Sequence, residues 1–284
     1  MRGAPPTWVI LGCGYTGTQL ARTLVARPEL AAGVTVTRRD AEVARALGAA
    51  LGARGERADL AELGRPGGLE LPDGAIVVCT APPGPDPAGE IRALLSAVRH
   101  AARIVYVSST GVYAPGGGAW VDESWPIAPV TDSGRARAAA EAALAGSTVP
   151  WVALRAAGIY GPGRGLAERI RAGAYRVIGD GASHVSRIHV VDLVAAILAA
   201  AASTLTGPVN AADDDPAPIG DVADQIAARL GLAPPPRVPV EAVSPEVAGM
   251  LTADRRITNR RLREDLGVAL RYPSWRVALD EELR

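Results

Sequence analysis

The chain has 284 residues, 48% hydrophobic and 21% charged, a globular composition long enough for one large domain or two smaller ones. Its 30 basic residues balance 30 acidic ones, so neither nucleic acid nor an anionic membrane surface is indicated as a partner. Lysine is absent, so every basic side chain apart from histidine is arginine and no position can supply a lysine amine.

The first apolar run, WVILG (8–12), predicts a strand and is too short for a signal peptide. GCGYTG follows at once and sets Gly12, Gly14 and Gly17 in G-x-G-x-x-G spacing ahead of a helical pattern near 16–27. In that context the first glycine permits a tight turn, the second lets the backbone approach a pyrophosphate, and the third lets helix pack on strand. With Tyr15 and Thr16 between the glycines, the helix start faces the phosphates, and a dinucleotide is the expected cofactor.

The second strand, VTVTR (34–38), ends on Arg38 and Arg39, where an NAD-selective protein would place an acidic residue against the ribose. Two guanidinium groups suit a 2′-phosphate, so NADP is expected in preference to NAD, although Asp40 can still reach the ribose. A helical pattern covers 40–48. Asp59, after a third strand, can hydrogen-bond the adenine amino group or stay a solvated loop carboxylate.

AIVVCTA (75–81), RIVYVSS (103–109) and WVALR (151–155) are further strands, with helical patterns at 88–102 and 133–145. Val- and Ile-rich strands without polar alternation, separated by helices, predict an α/β fold: a doubly wound parallel (Rossmann) sheet that binds ligands at the carboxyl ends of its strands. Cys13 and Cys79 fall within strand-like stretches and read as small buried residues of a reducing cytosol; no metal is expected.

Beyond Arg155 the rhythm changes to a Gly/Pro loop, a short helix, a helix near 191–203, the strand-like PVNAA, and the helix IGDVADQIAARLGL. These predict a smaller C-terminal substrate lobe. The expected division is a dinucleotide-binding domain over 1–157, with returns to the sheet near 186–212, and a lobe over 158–185 and 213–284. No stretch is apolar for long enough to span a membrane, and a cytoplasmic location is expected.

In order along almost the whole chain, GCGYTG, VYVSSTGVY, VDESWPIAP, LRAAGIYGPG, RIHVVDL and NRRLREDLG resemble the extended short-chain dehydrogenase/reductases. These are the NAD(P)-dependent epimerase/dehydratase-like proteins, and the likeness is greatest to atypical members with altered active sites. The resemblance implies that Ser109 hydrogen-bonds the substrate carbonyl or hydroxyl. It implies that Thr80 and Ala81 pass beneath the nicotinamide ribose, and that Arg155 and Tyr160–Gly163 run past the nicotinamide into the substrate lobe.

It also implies a Tyr-x-x-x-Lys pair some two dozen residues after Ser109. Those positions hold Ser133 and Arg137, inside TDSGRARAAAEAAL, a helix that Asp132 or Ser133 can cap. A serine hydroxyl is a far poorer acid or base than an activated tyrosine, and an arginine cannot relay a proton. Among substitutes, Tyr113 lies near Ser109, although its family counterpart mostly packs. His184 is expected to face the substrate pocket, and Arg187 can bind a substrate anion. Asp122 and Glu123 read as loop-fixing carboxylates, and His189 as a buried structural histidine.

Three functions fit. One is an NADP-dependent oxidoreductase acting on a small carbonyl or imine without the usual tyrosine. The others are a non-catalytic NADP(H) sensor and a nucleotide-sugar epimerase or dehydratase. The small-residue stripe Ala136, Ala139, Ala140 and Ala143 would permit close helix packing, as in a homodimer.

Overall fold

A computed structural model of the chain describes residues 4–66 and 68–282. Strands Thr7–Leu11 (β1), Gly33–Arg38 (β2), Arg54–Arg57 (β3), Ile76–Cys79 (β4) and Arg103–Ser109 (β5) alternate with helices Tyr15–Val25 (α1), Ala41–Leu51 (α2) and Pro87–Ala97 (α3). Next come Trp120–Val121 (β6), helix Asp132–Leu144 (α4), Trp151–Ala156 (β7), Gly158–Tyr160 (β8), helix Leu166–Arg171 (α5) and Val177–Ile178 (β9). His184–Val185 (β10), Arg187–His189 (β11), helix Val190–Ala202 (α6), Gly207–Ala211 (β12), Ala217–Pro218 (β13) and helix Ile219–Arg229 (α7) follow. Arg237–Val238 (β14), helix Pro245–Leu251 (α8), Arg256–Ile257 (β15), and helices Arg260–Glu264 (α9) and Trp275–Glu282 (α10) complete the order.

Seven strands form one sheet in the order β12-β7-β5-β4-β1-β2-β3. The pairs from β5 through β4, β1 and β2 to β3 are parallel. From β1 the chain winds outward through β2 and β3, then returns to β4 and winds the other way. The carboxyl ends of β1 and β4 therefore flank the point where strand order reverses, the place where such sheets take their ligands. Leu11 pairs with Cys79 there, so Gly12 and Thr80 emerge side by side.

The chain divides into two compact units. The first runs through Ser108 and includes Ala136–Leu154 and Val194–Pro208; the second comprises Ser109–Arg135, Arg155–Leu193 and the chain from Val209 onward. The segment Ser109–Arg135 thus groups with the later residues. No helix among the described residues is long and apolar enough to cross a membrane.

In the first unit, Leu11, Val77, Cys79, Ile104 and Tyr106 pack with Leu94 and Leu144 from α3 and α4. Burying a leucine of this kind contributes about 2 kcal/mol. Burial also pushes the Cys79 thiol up to about 12, so it is a neutral packing group. Ala140 belongs to this core and Ala143 packs against it, while Ala139 is exposed. Half of the alanine stripe therefore packs on the protein's own sheet.

The second unit has its own core, in which Tyr175, Val177, Ile219, Val222, Trp275 and Leu279 take part. Asp192 accepts from the backbone N–H groups of Arg271 and Tyr272 at 2.8 and 2.9 Å, which ties the last segment to the start of α6. His189 is 3% exposed, with ring centroids of Tyr160 and Tyr272 at 5.2 and 3.8 Å, and its Nδ1 accepts from Val191 N–H.

Burial first, and the charge of Arg271 second, hold the His189 imidazole down at about 4. The unfolded chain takes up this proton near pH 6.5 and the folded one only near 4. Stability is therefore intact above pH 6.5 and falls as pH drops toward 4, by up to about 3 kcal/mol. Urea melts at pH 7 and 4.5 should show this loss in the wild type and a smaller one in His189→Asn, which can keep the cap but cannot titrate.

Candidate functional site

In the first unit the site is built around the turn after β1. Gly12 has φ +72, and a Cβ placed on it would lie 2.4 Å from the Cβ and 2.5 Å from the Cα of Ala81. Thr80 secures the same turn, donating through Oγ1 to the Gly12 carbonyl at 2.9 Å. Thr37 on β2 accepts from Gly12 N–H at 3.1 Å. Sequence reasoning did not single out Thr37, because an inward threonine in a strand looks like any other β-former.

The other two glycines differ in kind. A Cβ on Gly17 would come within 2.9 Å of Thr80 Oγ1 and 3.0 Å of Ile10 Cγ2, so this glycine serves helix–strand packing. A Cβ on Gly14 meets nothing nearer than the Gly12 carbonyl at 3.8 Å. Gly14 caps α1 without a side-chain hydrogen bond, and the first turn, from Tyr15, carries no acidic residue; Thr16 is buried beneath it. Open space above Gly14 and N–H groups at the positive end of a helix together fit a pyrophosphate.

Arg38 and Arg39 stand at the end of β2, Arg38 half-buried with its Nε lacking a hydrogen-bond partner and Arg39 exposed. Asp40 is committed elsewhere: its Oδ1 accepts from Glu42 and Val43 N–H, both at 2.9 Å, capping α2. Asp59 likewise accepts from Ala61 N–H at 3.1 Å and caps the turn Leu60–Glu62. On α4, Arg137 donates to the Val107 carbonyl at 2.8 Å. These residues fit a dinucleotide.

In the second unit, Ser109 is half-buried, and its Oγ accepts from Gly111 N–H at 3.0 Å. That bond uses a lone pair and leaves the hydroxyl proton available to a ligand. Gly134 brings the start of α4 onto this turn: a Cβ there would lie 2.4 Å from the Gly111 carbonyl oxygen. The cap of α4 is Thr131, whose Oγ1 accepts from Gly134 N–H at 3.1 Å. Asp132 and Ser133, the expected caps, lie inside the helix instead, exposed in its first turn.

Both are engaged by a residue from far along the chain. Glu246 on α8 accepts from Asp132 N–H at 2.9 Å through Oε2, and from the Ser133 hydroxyl through Oε1. Ser-Pro-Glu marks a helix start, but nothing local connects it with a serine 113 positions earlier.

The remaining candidates also lie in the second unit. Tyr113 is fully buried, donating to Asn210 Oδ1 at 2.7 Å and accepting from Arg155 Nη1 at 2.9 Å, so its hydroxyl has no surface from which to meet a substrate. Glu123 accepts from Asn210 N–H at 2.7 Å, and Asp122 from Ser124 N–H at 2.9 Å. Arg187 is 5% exposed; its Nη1 donates to the Val185 carbonyl at 2.9 Å, and its Nη2 lacks a hydrogen-bond partner. His184 is partly exposed, and Asp254, a non-glycine residue at φ +46, holds its Nδ1 at 2.9 Å.

Comparison with known proteins gives three kinds of match. A family model described as NAD(P)H-binding matches residues 12–201. A Streptomyces protein described as 3-diazoavenalumate denitrifying reductase is 36% identical over 199 residues, covering 64% of this chain and 65% of that one. The chain thus spans just under two thirds of that relative.

A solved structure of a functionally unknown conserved protein from Silicibacter pomeroyi is 31% identical with a TM-score of 0.82, covering 97% of both chains. The human epimerase family protein SDR39U1, solved with NADPH, has a TM-score of 0.78 over 97% of this chain and 98% of its own. At 22% identity, that likeness is one of fold.

Proposed function

Since this chain belongs to the NAD(P)H-binding family, we propose that it is an NADP(H)-dependent reductase whose acceptor needs no proton from a tyrosine. Two things support the proposal: the space above Gly14 at the start of α1, and the resemblance by which Ser133 and Arg137 stand at the tyrosine and lysine positions. When bound, a reduced nicotinamide would supply the hydride. Gly12–Gly17, Arg38 and Arg39 would hold the nucleotide, and Arg137 would fix its ribose with a permanent charge. Ser109 would donate its hydroxyl proton to the lone pair of a carbonyl or imine, or turn its oxygen to the N–H of an iminium.

A small carbonyl or imine is the expected substrate class. The name of the Streptomyces relative adds a third, a diazo compound. In its diazonium form such a group takes in one hydride at carbon and leaves as dinitrogen, so that step consumes no proton. Full-length substrate-lobe motifs and a retained Ser109 favour an enzyme over a sensor.

Fluorescence titration should find NADPH bound at least tenfold more tightly than NADH, and NADPH should be consumed with an imine, carbonyl or diazonium panel. Binding without consumption across that panel would make the protein a sensor. Arg38→Ala and Arg39→Ala should each weaken NADPH by about tenfold, the worth of a charge-assisted phosphate contact. NADH affinity should stay within about twofold, because it lacks the 2′-phosphate. Equal losses for both nucleotides would remove the arginines from that role.

A further inference from the structure

We propose that Glu246 sets the charge of the reacting site, so that it selects a positively charged acceptor, an iminium or diazonium, over a neutral carbonyl. The inference rests on the reading of Ser133 as the residue that meets the reacting group.

A serine hydroxyl has one proton, and here it is given to the Glu246 carboxylate. The Ser133 oxygen that remains can only accept. An acceptor backed by a carboxylate repels a carbonyl oxygen, and still more the alkoxide that reduction makes of it. It attracts the N–H of an iminium. The usual tyrosine and lysine present a donor and a positive charge to the same place, so the preference is reversed.

The charges carried by α4 itself leave this sign standing, and the nearby Arg255 guanidinium is turned to the Thr110 and Ala114 carbonyls at 2.8 and 3.0 Å. The start of α4 offsets only about half a unit charge. Asp132 and Arg135 pair with each other and cancel. Arg137 stands one turn further along the helix, bound to the Val107 carbonyl, while the carboxylate is directly on the Ser133 oxygen.

The placement of α8 is held by packing as well as by these bonds. A Cβ on Gly249, nearly one turn beyond Glu246, would fall 2.9 Å from Thr131 Cγ2 and 3.4 Å from Val130 Cγ2. The helix therefore lies against the segment that leads into Ser133, and the carboxylate has a fixed approach.

The chemistry balances without a proton donor. An iminium takes one hydride at carbon, its C=N π pair becomes the nitrogen lone pair, and a neutral amine results. A ketone takes a hydride and also a proton, which neither Ser133 nor Arg137 can readily supply.

The test compares the wild type with Glu246→Gln and Glu246→Asp in the NADP+-bound protein. The probes are pyrrolidinium, which mimics the charged acceptor, and the neutral cyclopentanone. Wild type should bind pyrrolidinium at least tenfold more tightly than cyclopentanone. Glu246→Gln, which can still accept from Asp132 N–H, should lose that preference while keeping NADP+ affinity and melting temperature. Glu246→Asp should recover part of it. In parallel, NADPH consumption is followed with 1-pyrroline below its pKa and with cyclopentanone.

Charge selectivity that survives in Glu246→Gln overturns this inference and leaves the reductase reading intact. Glu246-dependent binding of pyrrolidinium without turnover of either acceptor upholds the inference and removes the reductase reading. No selectivity and no turnover overturns both.

Discussion

Gly12→Ala is expected to abolish NADP(H) binding and to destabilise the protein by about 3 kcal/mol, the sum of a left-handed backbone penalty and local overpacking. The native φ is +72, and the added methyl would meet Ala81 Cβ at 2.4 Å, Cα at 2.5 Å and N at 2.8 Å. Two of those three atoms are backbone, so Ala81→Gly should not rescue the variant.

Gly14→Ala provides the contrast. Its Cβ has no neighbour nearer than 3.8 Å, so the melting temperature should hardly move. Affinity for NADPH should nonetheless fall by at least tenfold, because the methyl occupies the space into which a pyrophosphate would come. Thermal melts with nucleotide titrations on the two variants separate these effects. A Gly14→Ala protein that binds normally would show that the phosphates lie elsewhere.

Asn210→Leu should cost about 3–5 kcal/mol, seen as a large drop in melting temperature. Asn210 is fully buried on β12, and its Oδ1 accepts from Tyr113. Its Nδ2 donates to the carbonyls of Val121 and Thr258 at 3.3 and 3.2 Å. Leucine fills a similar volume but leaves the Tyr113 hydroxyl without its acceptor and weakens the hold on two carbonyls. Each buried polar group so stranded costs about 1–3 kcal/mol. The Tyr113–Arg155 bond at 2.9 Å adds a charged member to the network, with the guanidinium 4.8 Å from the ring centroid. A loss below about 1 kcal/mol would mean that the network does not act as a unit.

The nucleotide half was largely legible in the residues. Its signals are local: an apolar strand, glycines at fixed offsets and a helix start lie within a dozen positions, and each has one physical meaning. The order β1 to β5 could be read in the same way. The reading faltered where a side chain's meaning depends on what it meets. Asp40 could have faced a ribose, and it caps α2. Tyr113 lay close to Ser109 in the chain, yet its hydroxyl is spent on Asn210.

Composition and local spacing thus determined the doubly wound sheet and the cofactor class. These follow from backbone geometry and hydrophobic periodicity, which act over a few residues. Only the tertiary structure decided which polar groups are engaged and which remain free to act. Hydrogen bonds and charge pairs join residues without regard to their distance along the chain. Glu246 reaches Ser133 across 113 positions, and that contact changes the serine from a proton donor into an acceptor beside a negative charge.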